Sequence, residues 1–346
     1  MPQTKKSKGP ALRTPLVGHA ARICESLMLC QALTVAQLQA LHLPCEETVE
    51  TVGEKAFEKH RRSKLETVRQ IMEKLVTHGY VQRTRVSQEW LYGAVRERAV
   101  VDVAAYYQRQ FQKEFGDQAP AELAWKADAQ SLAQGYEWSP YCKIMTWGSS
   151  TLKHHIKDMD AHIVLTLACD LAGVTQELWL PEHIIKRLHK GLKVSYAGPD
   201  GNTYESQLRP DDWYIFSKQV GNELIREKFL LEVDNGSQVQ SNVSTRNKKK
   251  QKRSMAHKFR AYHCFMKRDF RRLYGFANAK IIILTSGERR MWNLKTLCEE
   301  SGGKGRYWFT HKDLFTPANI FCQPIFVRAG DPEGEYVALF SNGGKS

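Results

Sequence analysis

The run RPDDWYIFSKQVGNELIREKFLLEVDNGS, Arg209 to Ser237, decides the fold of the C-terminal half. Asp212, Tyr214 and Phe216 alternate with Asp211, Trp213 and Ile215, which is the period of a strand. Phe229 to Val233 is a second, more apolar strand, and Gly221-Asn222 between them suits a two-residue hairpin turn. Centring the hairpin on that turn places Asp211 directly across from Glu232. Opposed side chains sit about 4.5–5.5 Å apart at Cβ. Glu232 and Asp234 are two residues apart and share a face. Three carboxylates are therefore expected at one end of the hairpin. Like charges that close call for a cation, and oxygen ligands suit Mg²⁺. A slip of one residue would send the acids to opposite faces.

Downstream lies a basic run, Arg246 to Arg253, with Lys248, Lys249, Lys250, Lys252 and Arg253 as candidate phosphate contacts. A helix follows from about Ser254 to Tyr274, with Lys258 and Tyr262 at i, i+4 on one face. Ala279 to Leu284 reads as an apolar strand, Met291 to Cys298 as a helix and Arg306 to Thr310 as another strand. Beyond Pro324 no pattern is readable. Upstream, Leu152 to Leu171 reads as a long helix burying Ile156, Ile163, Leu167 and Leu171, with His154, His155, Asp158 and Asp160 near its start. Glu177 to Leu180 is a short strand, and Pro181 opens a helix through His189. Lys193 to Tyr196 and Thr203 to Leu208 flank a Gly-Pro-Asp-Gly turn.

The N-terminal third has its own pattern. A first helix spans about Leu16 to Leu33, with Ile23, Leu27 and Cys30 at helical spacing. Thr34 and Gln37 form a capping-box signature before a short second helix that ends by Pro44. After a polar stretch, Lys59 to His78 forms a helix with Leu65, Val68, Met72, Leu75 and Val76 on one face. Arg61, Arg62, Lys64 and Arg69 lie on the others. Gly79 stops it, and Tyr80 to Arg85 with Gln88 to Gly93 forms a hairpin with Arg83 and Arg85 near its tip. Helix, short helix, basic helix and hairpin is the order of a winged helix, in which the third helix enters the major groove and the wing reaches backbone. Winged helices also bind proteins; the charge favours DNA. Val95 to Gln112 is a further helix burying Val100, Val103, Tyr106 and Tyr107, and residues 116–150 form an aromatic-packed connector.

The chain has 346 residues, 51 Lys and Arg against 37 Asp and Glu, and a formal charge of +14. Such a balance draws a protein toward polyanions, double-stranded DNA first. No stretch approaches the roughly 20 apolar residues of a membrane span, and the basic N-terminus lacks a signal-peptide core. The eight cysteines are scattered without metal-ligand spacing, as expected of reduced thiols in a cytoplasmic protein. Nothing in the sequence specifies an oligomeric state.

Pro-Asp, a strand hairpin, Glu-x-Asp and a following helix that offers lysine resembles the PD-(D/E)xK nuclease core. In that core acidic residues hold Mg²⁺, the metal activates water and lysine stabilises charge on the phosphate. Here Asp234 stands where the lysine is expected, so Lys258 would serve in its place. The fuller pattern of winged helix, histidine-bearing helix, Arg209-Pro210-Asp211, Leu231-Glu232-Val233-Asp234, and Lys258 with Tyr262 resembles the replication-relaxation family of plasmid and mobile-element proteins. The resemblance implies an α+β or α/β chain, a winged helix-turn-helix followed by a restriction-endonuclease-like mixed sheet flanked by helices. It implies Asp211, Glu232 and Asp234 as Mg²⁺ ligands, Lys258 as the phosphate-stabilising cation, and His154 or His155 as the family's helix histidine. It further implies DNA binding tied to replication or mobilisation, either by Mg²⁺-dependent nicking or cleavage or as a non-catalytic factor that recruits a relaxase or replication initiator. The expected organisation is a basic arm (1–14), a winged helix (15–95), a helical connector (96–150), a nuclease-like domain (151–328) and a tail (329–346).

Overall fold

Lys280–Thr285 is apolar on both faces, as a strand covered by other elements on both sides must be, and the C-terminal sheet is built around it. A computed structural model of the chain describes residues 16–45, 49–93, 97–116, 120–135, 147–189, 192–198, 201–236 and 254–340. Two compact units result, Met1–Met159 and Asp160–Ser346. The division falls inside a helix rather than at residue 150, where sequence placed it.

In the first unit, α1 (Gly18–Cys30) leads into β1 (Ala32–Thr34), α2 (Val35–His42), α3 (Val49–Val52) and α4 (Glu54–Thr77). The hairpin β2 (Gln82–Val86) and β3 (Glu89–Gly93) completes a three-stranded sheet in the order β1-β3-β2. Thr34 caps α2 with the full capping box: its hydroxyl accepts from the Gln37 amide, and Gln37 Oε1 accepts from the Thr34 amide. Sequence periodicity missed β1, which is three residues long and wholly buried. It also began α4 late: the helix starts at Glu54, inside the stretch read as a polar connector. Val68, Met72 and Leu75 bury its apolar stripe. Next come α5 (Glu97–Phe115), α6 (Ala121–Ala124), a single 3₁₀ turn and α7 (Ala129–Gly135).

Helix α8 (Ser149–Ala172) crosses the boundary between the units. Its last turn is more open than its periodicity suggested, since Leu171 is exposed rather than buried. The second unit continues with β4 (Val174–Pro181), α9 (Glu182–His189) and the hairpin β5 (Leu192–Ala197) and β6 (Thr203–Leu208). Then follow β7 (Asp212–Val220), β8 (Glu223–Val233), α10 (Met255–Arg268), α11 (Phe270–Tyr274), β9 (Lys280–Thr285), α12 (Glu288–Glu300) and β10 (Tyr307–His311). Strands β11 (Phe326–Arg328) and β12 (Tyr336–Val337) give structure to the segment that had no readable pattern.

Seven strands form one mixed sheet in the order β12-β11-β10-β9-β8-β7-β4. Strands β8, β9 and β10 run parallel, while β4, β7 and β8 are antiparallel neighbours. The β7–β8 register pairs Asp212 with Leu231 and Val220 with Glu223, around a turn in which Gly221 takes φ 60°. This is the register that the Gly-Asn turn implies. One sheet face packs Trp213, Leu230, Ile281 and Phe309 against Phe259 and Phe265 of α10 and Met291 and Leu294 of α12. The other stacks Tyr214, Phe216 and Phe229, with Phe321 edge-on to Phe216. Burial of each such aromatic stabilises the unit by roughly 2–3 kcal/mol. Among the described residues no helix is long and apolar enough to cross a membrane.

Candidate functional site

Past Asp212 the β7–β8 ladder is extended by side-chain chemistry. The Asp211 amide donates to Leu231 O (3.2 Å), and its carboxylate accepts from the Val233 amide (2.7 Å). The Asp234 amide in turn donates to Leu284 O (2.8 Å), which continues the parallel β8–β9 pairing. Strand alternation puts Asp211, Glu232 and Asp234 on the face covered by α10 and α12. All three are buried.

Their surroundings differ. Helix α10 is the crossover between parallel strands β8 and β9. Its first turns carry Lys258 and Tyr262 to Glu232: Nζ donates to Oε2 and the phenol donates to Oε1. Burial is the main force pushing the Glu232 carboxyl up, to about 7. Lys258 and Tyr262 oppose that rise and the neighbouring charge of Asp211 adds to it. Burial works against the Lys258 ammonium, yet Glu232 and Asp211, with Glu182 at the start of α9, hold its pKa above the ordinary lysine value. The Tyr262 phenol is pushed well above its usual range, first by burial and then by Glu232. Lys258 retains a path to solvent, with 22% of its side chain exposed against 4% for Glu232.

Asp234 does not join this cluster. Arg290, in the first turn of α12, grips it through Nε to Oδ2 (2.6 Å) and Nη2 to Oδ1 (3.0 Å). Such a two-pronged pair neutralises the carboxylate and fixes its plane. Among the described residues no group of three or more His, Cys, Asp or Glu stands where it could hold a metal ion. The three-carboxylate centre expected from the hairpin therefore reduces to Asp211 and Glu232. Sequence reasoning put the acids on the right face but could not see the arginine that claims one of them.

The histidine candidates lie elsewhere. In the first unit, the His155 ring hydrogen-bonds to Ala32 O (3.0 Å) and packs edge-on against Trp147. Burial lowers its pKa to about 4, so it is a neutral packing residue. His154 is half-buried beside it, and Asp160 is exposed on the same helix. A histidine that sequence reasoning passed over, His162, is buried in the second unit, as are His257 and His311. It stacks on Trp179, with ring centroids 3.4 Å apart, and its Nδ1 lies 3.1 Å from the Tyr214 hydroxyl. Trp179 Nε1 and the Tyr214 hydroxyl both donate to Asp212, at 2.7 and 3.3 Å. The paired aspartates Asp211-Asp212 thus serve opposite faces of the sheet, which their adjacency in a strand already signalled.

The basic candidates of the first unit are partly committed to local partners. On α4, Arg61 pairs with Glu58 (3.1 Å), Arg69 pairs with Glu66 (3.5 Å) and Lys64 Nζ donates to Pro44 O. Arg62 is exposed on the same helix. Arg83 does not stand at the hairpin tip. It sits in the body of β2 opposite Tyr92, paired with Glu73 and stacked 4.4 Å from the Trp90 ring. Arg85, next to the turn, is exposed. The β-hairpin and α4 enclose an open groove of about 800 Å³ lined by Arg69, Glu73, Lys74 and Trp90 among others. Lys248, Lys249, Lys250, Lys252 and Arg253 lie outside the described residues.

Comparison of the chain with protein-family models, with curated proteins and with solved structures finds no match.

Proposed function

We propose that the protein binds double-stranded DNA and hydrolyses a phosphodiester in it, with Asp211, Glu232 and Lys258 as the reacting constellation. The observation that carries this reading is the meeting of two buried carboxylates with one lysine at the end of strands β7 and β8. The first unit supports DNA binding by its element order and its β1-β3-β2 sheet, which is the arrangement of a winged helix with α4 as the groove-facing helix. The second supports a PD-(D/E)xK-like core by its mixed sheet, its central hairpin and its helix crossover. The biological setting that fits both is plasmid or mobile-element replication or mobilisation.

The residues present fit Mg²⁺. That ion is commonly bound by one or two carboxylates, with waters and substrate oxygens completing its shell, and Asp211 and Glu232 supply two hard oxygen donors. Burial, with a smaller contribution from the Asp211 charge, lifts the Glu232 carboxyl to about 7, and a cation bound beside it would favour the charged form. A bound Mg²⁺ would activate water and neutralise charge on the phosphate. The chain's own residues do the rest. Tyr262 and Lys258 hold the Glu232 carboxylate in one plane. Lys258, the partly exposed member, presents positive charge to an entering phosphate and stabilises the charge that develops on it. Arg290 removes the charge of Asp234, so that a third carboxylate does not add repulsion. Tyr262, fully buried and acting as a donor, holds Glu232 rather than attacking phosphorus.

A second reading is favoured by one observation: both oxygens of Glu232 and both of Asp234 already have donors. A network balanced in this way also suits a non-catalytic factor that recruits a relaxase or replication initiator to DNA. Incubation of supercoiled plasmid with the protein in Mg²⁺ or in EDTA, beside Glu232→Ala, separates the two. Open-circular or linear product that needs both the metal and Glu232 supports hydrolysis. Intact plasmid, with salt-sensitive gel shifts equal in both proteins, supports the recruiting role.

A further inference from the structure

We infer that the outer face of α10 and α11 is a second duplex-binding surface, separate from the first unit and from the basic run before Ser254. The inner face of these helices is spent on the core, with Met255, Phe259, Tyr262, Phe265 and Phe270 buried. The outer face presents Lys267, Arg268, Arg271 and Arg272, all exposed. The two helices meet at Asp269, the one residue between them. The Asp269 amide donates to Phe265 O (2.9 Å), closing α10, and the Leu273 amide donates to Asp269 O (3.0 Å), opening α11. Lys267 and Arg271 stand on either side of this junction, both exposed.

The charge here is not self-neutralised. Asp269 is the single acid between Met255 and Tyr274, and it pairs with Arg272 at 3.2 Å. Arg268 is tied to Ser195 O of strand β5. Among the described residues Lys267 and Arg271 make no ion pair. Complementing a helix C-terminus is worth only about 0.3–1 kcal/mol and acts within the last turn. It does not call for four cations in six residues.

A polyanion is the matching partner, and the surface selects among polyanions. A helix that lies on a lipid surface needs an exposed apolar face beside its cations. The exposed large hydrophobics of the described chain include none on α10 or α11. A cluster of exposed cations without apolar neighbours suits a phosphate backbone, and we assign it to duplex DNA. The assignment rests on the DNA-binding reading above but not on catalysis.

The test uses the full chain in EDTA, with a labelled duplex followed by fluorescence anisotropy across a salt series. The double variant Lys267→Glu/Arg271→Glu is compared with wild type, and Lys267→Gln/Arg271→Gln serves as the milder pair. Circular dichroism confirms that both variants keep the helix content of wild type. Each phosphate contact contributes about −0.9 to the slope of log affinity against log salt. Loss of two contacts makes the wild type fall about 10-fold further than the variant between roughly 50 and 200 mM salt. Equal slopes and equal affinities overturn the inference. So does unchanged duplex binding alongside lost retention on anionic vesicles. A wild type that binds no duplex removes the inference together with the DNA-binding reading. A wild type that binds duplex but leaves plasmid uncut removes only the hydrolytic reading.

Discussion

Helix α4 and the pair α10 and α11 are both basic in sequence, yet they use their cations differently. Glu58 and Glu66 stand three residues from Arg61 and Arg69 on α4, and Glu73 pairs with Arg83 across from β2. On α10 and α11, Lys258 turns inward onto a buried carboxylate, while Lys267 and Arg271 face solvent with a single acid nearby. The difference teaches that counting cations on a helix overstates what it offers a ligand. What counts is which acids share its i, i+3 and i, i+4 neighbours and which face is buried. Exposed pairs such as Arg61–Glu58 are screened by solvent, so they weaken a phosphate contact without abolishing it.

The largest effect expected along this contrast is at the inward cation. Lys258→Ala should reduce plasmid cleavage by about 100-fold or more, the scale seen when one preorganised charge donor is removed. Duplex affinity in EDTA should stay near that of wild type. A variant that cleaves normally would place Lys258 with the merely structural cations.

Next comes the buried pair that the site does not use. Asp234→Asn leaves Arg290 facing an uncharged amide and should cost about 3 kcal/mol in a denaturant titration, within the range for breaking buried pairs. Cleavage at a permissive temperature should survive. Loss of cleavage at full stability would return Asp234 to the reacting group.

Of similar size is a pH effect. The Glu232 carboxyl rises from the ordinary glutamate value of 4.5 to about 7 on folding, so the folded state holds its proton more tightly than the unfolded chain. The associated stability is complete below about 4.5 and is lost as pH climbs to about 7, a change of roughly 3 kcal/mol. Measured against Glu232→Gln, which lacks this titration, wild type should lose stability steadily across that window and no further above it. A gap that stays constant with pH would mean that burial does not govern this carboxyl.

The smallest effect lies on α4. Arg62→Ala should weaken duplex binding a few-fold more than Arg61→Ala, because Arg61 is already partly satisfied by Glu58. Equal losses would show that the local pairs are broken at no cost when DNA binds.

How much was legible in the sequence follows from distance along the chain. The β7–β8 register could be read because a Gly-Asn turn and an alternating pattern are local, and they place Asp211 and Glu232 together. Lys258 and Tyr262 were found as an i, i+4 pair, and both reach Glu232. Arg290 was missed because it arrives on α12 by way of β9, 56 residues from Asp234, and no local pattern records that return. His162 was missed for a related reason. His154 and His155 drew attention by standing together near the start of α8, whereas the boundary between units that separates them from His162 leaves no mark on helical periodicity. Arg83 was read as a tip residue because the hairpin was ended one residue early on its first strand. The true turn follows Val86, and Arg83 faces α4 and Trp90 instead.

The proposed hydrolytic centre contains Glu232 and not Asp234. Wild type, Glu232→Gln and Asp234→Asn incubated side by side with supercoiled plasmid in Mg²⁺ test it most directly. The predicted result is open-circular or linear product with wild type and Asp234→Asn and none with Glu232→Gln. Product that persists in Glu232→Gln, or wild type that leaves the plasmid intact, would contradict it.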